Sequence, residues 1–131
     1  METIYRTEIT ELGPEVPEFL DMGLLILFKA GAPPELAEMS AMHEPESFRE
    51  EPPKVGDILA IGDRDLRITA VGAKAWKNVR DLGHVVFKFN GGDETEAPGE
   101  IYIEETEGLS ELFRPGARLE IRTGAGSTAA T

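Results

Sequence analysis

The chain has 131 residues, 40% of them apolar and 29% charged, and 25 acidic residues against 13 basic ones give a formal charge of −12. That length and composition suit one compact domain with a real hydrophobic core, and the acidity excludes a general nucleic-acid binder or a surface that docks on anionic lipid, both of which need a basic face. The chain has no cysteine, which excludes disulfides, thiolate catalysis and cysteine-based metal sites.

Residues 1–10 lack the apolar stretch of a signal peptide, and the longest apolar run, 24–28, is too short to span a bilayer. A cytoplasmic protein with no direct membrane insertion is expected. Within the first ten residues, 4–10 are rich in β-branched and aromatic side chains and predict a strand, ended by Gly13-Pro14. Leu24–Lys29 is continuously apolar and predicts a buried strand that stops at Gly31-Ala32-Pro33-Pro34. Residues 34–40 offer a short helix, with proline in the first turn and Leu36 and Met39 three apart. The segment 42–54 has three prolines, four glutamates and no periodicity, and predicts a loop.

Ile58–Ile61 and 66–71 predict a hairpin around Gly62-Asp63-Arg64-Asp65. Residues 73–82 are the best helix candidate: Trp76, Val79 and Leu82 share one side as a core anchor, and Gly83 is placed to end it. Val85–Phe89 predicts a strand closed by Asn90-Gly91-Gly92. The alternating segments 101–104 and 118–123 predict two more, the second after the Pro115-Gly116 turn. Residues 124–131 are small and polar and predict a disordered tail behind a single domain of 1–123. About seven short strands with one or two short helices mean a mainly β protein, a small barrel or sandwich.

The inventory of reactive groups is short. Neither a Walker-type phosphate loop nor an HExxH or GxSxG motif is present. His43 and His84 are the two histidines. A neutral imidazole is a competent nucleophile toward phosphorus at cytoplasmic pH, and the phospho-imidazole can hand the group onward. Taken alone, His43 reads equally as a loop histidine without a role. His84, between Gly83 and the strand Val85–Phe89, reads either as a second imidazole that orients His43 or bonds phosphoryl oxygens, or as a partly buried histidine satisfied by the backbone. Lys74, Lys77 and Arg80 form a basic stripe at three-residue spacing that could meet phosphate or a partner, or be an ordinary solvated face.

Several separated stretches resemble the IIA component of the glucitol/sorbitol phosphotransferase family. They are Ile4-Tyr5 with Thr7, Ile9 and Thr10; Leu27-Phe28 leading into Gly31-Ala32-Pro33; Gly56-Asp57; Ile68-Thr69-Ala70-Val71-Gly72; Asn78 with Arg80; Leu82-Gly83-His84-Val85; and Phe89 with Gly91, followed by the Pro98-Gly99 and Pro115-Gly116 turns. The resemblance runs from residue 2 to about residue 122. It implies a phosphocarrier that accepts a phosphoryl group from HPr on a histidine and passes it to the IIB part of a membrane sugar permease (IIB/IIC), without metal or organic cofactor. The family's phosphohistidine falls on His43. His84 also matches a family histidine, and chemistry suggests it as a phosphate partner.

The acidic, proline-rich stretch 44–53 departs from the family pattern, and carboxylates beside a phosphohistidine would oppose further negative charge. That stretch favours an alternative on the same barrel, a stand-alone regulatory or interaction protein. A metal-assisted enzyme using both histidines is a third reading, without a recognisable metal motif to carry it.

Overall fold

Eight strands close into a barrel in the computed structural model, which describes residues 2–124. In chain order they are β1 (Thr3–Leu12), β2 (Leu24–Lys29), β3 (Ala41–Phe48), β4 (Ile58–Ile61), β5 (Arg64–Val71), β6 (Val85–Phe89), β7 (Glu100–Ile103) and β8 (Arg118–Arg122). They follow one another around the barrel as β1-β3-β2-β6-β7-β5-β4-β8. The helices are short: α1 (Val16–Asp21), α2 (Pro34–Ala37), α3 (Ala75–Leu82) and a 3-10 turn at Leu109–Glu111. The mainly β barrel expected from the spacing of apolar runs and turn residues is the one observed.

Alternation decides which side chains fill the interior. In β5, Leu66, Ile68 and Ala70 are buried while Asp65 and Arg67 are exposed. In β6, Val85, Phe87 and Phe89 point inward. With Ile9, Leu25, Leu27, Ile101 and Ile121 they form one apolar core. Trp76 anchors α3 to it as expected: the indole stacks on Phe48 with ring centroids 5.2 Å apart, and its Nε1–H donates to the Arg49 carbonyl at 2.7 Å, meeting the need of a buried indole.

Two neighbour pairs run parallel, β2 with β3 and β6 with β7, and the rest are antiparallel. Parallel neighbours need a crossover. The β2–β3 crossover carries α2, and it returns the chain so that Lys29 lies in register with His43.

Four expectations need correcting. Residues 42–48 are not loop but most of β3. Proline hides this strand because it cannot donate to a ladder. The fold absorbs Pro45 at a bulge, where Arg6 faces Ser47 and Thr7 faces Pro45, leaving Glu46 over; a second shift between Ile9 and Glu11 lies beside His43. Such bulges bend a strand and re-aim its side chains. Helix α1 was not expected; Pro17 sits in its first turn, where the missing N–H is no loss. Arg64 and Asp65 belong to β5 rather than to the hairpin turn. Gly124, assigned to the tail, is held by its N–H to Asp57 Oδ1 at 3.0 Å. The rest of that tail, 125–131, lies outside the described residues.

Candidate functional site

His43 is carried by β3 into the barrel, where it is 1% exposed. Both ring nitrogens are engaged. Nδ1 lies 2.6 Å from Thr7 Oγ1 on β1, and Nε2 lies 2.6 Å from the carbonyl oxygen of Gly83. A carbonyl only accepts, so Nε2 carries the proton, and the bare Nδ1 accepts from the Thr7 hydroxyl. Burial lowers the imidazole pKa below 6.5, against the opposing pull of the Gly83 carbonyl, so the ring is neutral at pH 7.

Gly83 reaches His43 because of how α3 ends. Its φ of 62° is left-handed, and the Gly83 N–H closes back on the Val79 carbonyl, the bond of an αL helix stop, while the His84 N–H reaches the Asn78 carbonyl. A Cβ at this position would lie 2.6 Å from Lys29 Cβ. Only glycine lets the helix end press onto β2 and set its carbonyl over the imidazole.

Tyr5 packs edge-on to the His43 ring, with centroids 6.4 Å apart. Two residues from Thr7 on β1, it projects from the same face of the strand. Its buried hydroxyl makes no hydrogen bond of normal geometry, although the Thr7 hydroxyl is near enough to act on it. Burial pushes its pKa up to about 12, with the nearby Thr7 hydroxyl opposing that rise. Beside this group opens a pocket of about 250 Å³ whose walls include Tyr5, Lys29, Phe48, Arg80 and Gly83. Arg80 is also bonded to Asp81 at 2.8 Å. The pocket wall therefore carries two cations against one carboxylate, Asp81, although the chain as a whole is strongly acidic.

The acids of 44–53 do not crowd the ring. Glu44 and Glu46 are exposed on β3, Glu46 lies 3.6 Å from Arg118, and Glu50 and Glu51 are exposed as well.

The two histidines meet through the main chain, not ring to ring. The His84 Nδ1–H donates to the Leu27 carbonyl at 2.9 Å, and its ring lies against Phe28 at 5.1 Å. Leu25 and Leu27 point inward on β2 while Ile26 and Phe28 are half-buried, so His84 sits with the outward phase of the wall and His43 with the inward one. Of the basic stripe, Arg80 reaches the pocket, whereas Lys74 and Lys77 are exposed and do not line it. Among the described residues no three His, Asp or Glu side chains group as a metal site.

In the sequence, Tyr5, Thr7 and Gly83 stand out as residues of the family resemblance and, for Gly83, as a helix stop, and Lys29 as the end of an apolar run; nothing there assigns any of them a part in the site.

A family model described as "PTS system glucitol/sorbitol-specific IIA component" matches residues 4–120. Proteins of Shigella flexneri and of Escherichia coli (strain K12), each named "PTS system glucitol/sorbitol-specific EIIA component", are 35% identical over 103 residues, covering 79% of this chain and 83% of each relative. The fold is similar to that of "The Crystal Structure of PTS System IIA Component from Enterococcus faecalis V583", with a TM-score of 0.73 and 21% identity over 90% of this chain and 99% of that one.

Proposed function

This chain belongs to the glucitol/sorbitol-specific IIA family of the sugar phosphotransferase system, and from that premise we propose that it accepts a phosphoryl group from HPr on His43 and passes it to the IIB part of a glucitol/sorbitol-type permease. The observation that carries the assignment is the neutral imidazole of His43 held under a pocket that presents Lys29 and Arg80.

Nε2 is the nitrogen on the pocket side. The Gly83 carbonyl that it bonds belongs to the pocket wall, whereas the Thr7 hydroxyl on Nδ1 is fully buried. For transfer, the Gly83 carbonyl gives way and the ring exchanges protons with water entering from the pocket. Nε2 loses its proton to that water, and Nδ1 takes the Thr7 hydrogen while Thr7 is resupplied through the Tyr5 hydroxyl from the same pocket. One proton leaves and one enters, so the ring stays neutral with its proton on Nδ1. The Nε2 lone pair then forms the bond to phosphorus as the donor's P–N bond breaks, and that electron pair returns to the donor imidazole. Catalysis here is positioning and charge compensation, and Lys29 and Arg80 supply the charge. His84 acts at one remove: its bond to the Leu27 carbonyl fixes the junction from which Gly83 reaches His43.

The test is incubation with HPr, the enzyme that phosphorylates HPr, and labelled phosphoenolpyruvate. The wild-type chain gains an acid-labile, base-stable label and His43→Ala gains none, while circular dichroism shows that the variant is folded. Label that persists in folded His43→Ala overturns the assignment.

A further inference from the structure

In the resting molecule a line of groups runs from the pocket into the core: the Gly83 carbonyl, the His43 ring, the Thr7 hydroxyl and the Tyr5 hydroxyl. The first three are joined by two hydrogen bonds of 2.6 Å each. The fourth, Tyr5 Oη, is buried and has no hydrogen-bond partner. An unpaired buried hydroxyl is costly and calls for a reason. Two other buried hydroxyls, Ser40 Oγ and Thr69 Oγ1, are also unpaired, but neither residue lines the pocket.

The direction of the hydrogen bonds supplies the reason for Tyr5. At rest the proton sits on Nε2, because the Gly83 carbonyl can only accept, and Thr7 spends its single hydrogen on Nδ1. An imidazole that takes or gives a phosphoryl group through Nε2 needs the opposite arrangement. Its Nε2 must offer a lone pair, or leave with one as neutral imidazole, so the proton belongs on Nδ1. The Thr7 oxygen must then accept from Nδ1–H, which frees the Thr7 hydrogen to point elsewhere.

We propose that Thr7 is a two-way hydroxyl that sets the tautomer of His43, and that Tyr5 Oη receives the Thr7 hydrogen in the phosphoryl-bearing state. This deepens the assignment of His43 as carrier and rests on it. Both are positioning residues, acting on phosphorus through the imidazole. In the transfer step the N–P bond forms at Nε2, the donor's P–N bond breaks toward the donor ring, and the proton stays on Nδ1 throughout, shared with Thr7 Oγ1. Tyr5 suits the accepting role: its hydroxyl stays protonated at physiological pH, and its own hydrogen is left to turn toward the pocket that its ring lines. The hydroxyl left unpaired at rest gains its partner when the carrier is loaded.

The experiment combines two readouts on the full chain. In the first, the ring nitrogens of ¹⁵N-labelled wild-type protein are read by NMR at pH 7 before and after phosphorylation by HPr. The proton is expected on Nε2 at rest and on Nδ1 in the phosphorylated protein. A resting proton on Nδ1, or a bare Nδ1 in the phosphorylated ring, overturns the inference. In the second, acceptance rates are compared for Thr7→Val, Thr7→Ser and Tyr5→Phe. Loss of a group that orients a functional histidine typically lowers activity ~10–100-fold, so Thr7→Val is expected in that range, Thr7→Ser within about threefold of wild type, and Tyr5→Phe about tenfold down. Tyr5→Phe is expected to keep or raise its urea midpoint, since the hydroxyl it loses is buried and unpaired at rest. Wild-type rates in Thr7→Val or in Tyr5→Phe overturn the inference. Should Thr7→Val fail to fold, the wild-type NMR and Tyr5→Phe still decide it. Label that persists in His43→Ala would instead remove the carrier assignment, a result separate from a His43-dependent label indifferent to Thr7.

Discussion

The barrel has two seams where strands run parallel, and a polar cluster lies on or beside each. At the β6–β7 seam, Lys88 Nζ reaches Glu100 at 2.8 Å, Glu100 Oε1 also accepts the Ala97 N–H at 3.0 Å, and Tyr102 accepts the Glu96 N–H at 3.0 Å. Next to the β2–β3 seam, where β3 pairs on its other side with β1, His43 and Thr7 are bonded, but the neighbouring Tyr5 hydroxyl is not. The first cluster joins the buried Glu100 and Tyr102 to the half-buried Lys88, which Glu96 also approaches at 3.6 Å, and each of its groups is paired. The second is deeper, keeps a hydroxyl in reserve and faces a pocket with surplus positive charge. A satisfied network holds one arrangement firmly, as the β6–β7 crossover requires; a network with an unused hydrogen-bonding group can occupy two, as a carrier that loads and unloads requires.

The contrast breaks most sharply if the cations of the two seams prove interchangeable. Replacing Lys29 and Arg80 together by Met is expected to slow phosphoryl acceptance ~10²–10³-fold, the range for losing a preorganised charge-stabilising group. Lys88→Met should leave the rate near wild type in the same labelling assay. A rate loss in Lys88→Met as large as in the double variant would dissolve the distinction.

Gly83→Ala tests whether the capping carbonyl is tied to the helix stop. The left-handed backbone costs about 1–2 kcal/mol for a residue with a side chain, and the overlap with Lys29 Cβ, which would lie 2.6 Å away, adds a roughly similar amount. A urea titration should show that loss, with slower transfer besides, because the carbonyl cannot keep its place over Nε2.

The smallest effect separates the seams by pH. The folded pKa of His43 is lowered from 6.5, by burial against the Gly83 bond. The unfolded chain therefore takes up the proton first, and this contribution to stability is lost as pH falls below about 6.5 toward the lower folded value. Burial pushes the Glu100 carboxyl up, but its bonds to Lys88, Ala97 and Tyr102 outweigh that and hold it below 4.5. Its contribution is intact above 4.5 and is lost only as pH falls further. Stability measured against pH should lose its upper step in His43→Gln and part of its lower step in Glu100→Gln. Loss of the upper step in Glu100→Gln would mean that the seams are coupled.

Much of this was legible in the sequence, for reasons that differ along the chain. β2, β5, β6 and β8 announce themselves because alternation or a continuous apolar run is a local signal. α3 does so through Trp76, Val79 and the Gly83 stop. β3 does not, because Pro45 removes a donor and the bulge that accommodates it belongs to the pairing with β1. His43 was found as a reactive residue type at a family position. Its partners were not: Thr7 lies 36 residues away and Gly83 lies 40, and closure of the barrel brings them together. His84 reads two ways, and the sequence does not choose between them, because its phase on the wall, which turns the ring toward Phe28 and the Leu27 carbonyl, is set by the pairing of β2 with β6.

The two partners of β1 bear on how the molecule is made. On one side it pairs with β3, and on the other with β8, where Arg6 and Glu120 form an ion pair across 114 residues. During synthesis the histidine and its orienting hydroxyl leave the ribosome close together and well before β8, the strand that completes the ring. Closing so long a loop is entropically slow, and non-local β pairing generally sets the pace of folding. Until β8 arrives, both β1 and β4 present bare edges, the kind that invite pairing between chains. The final strand is therefore the step at which a nascent chain passes from aggregation-prone to safe, and substitutions in 118–122 should show first as lost yield in rapid expression.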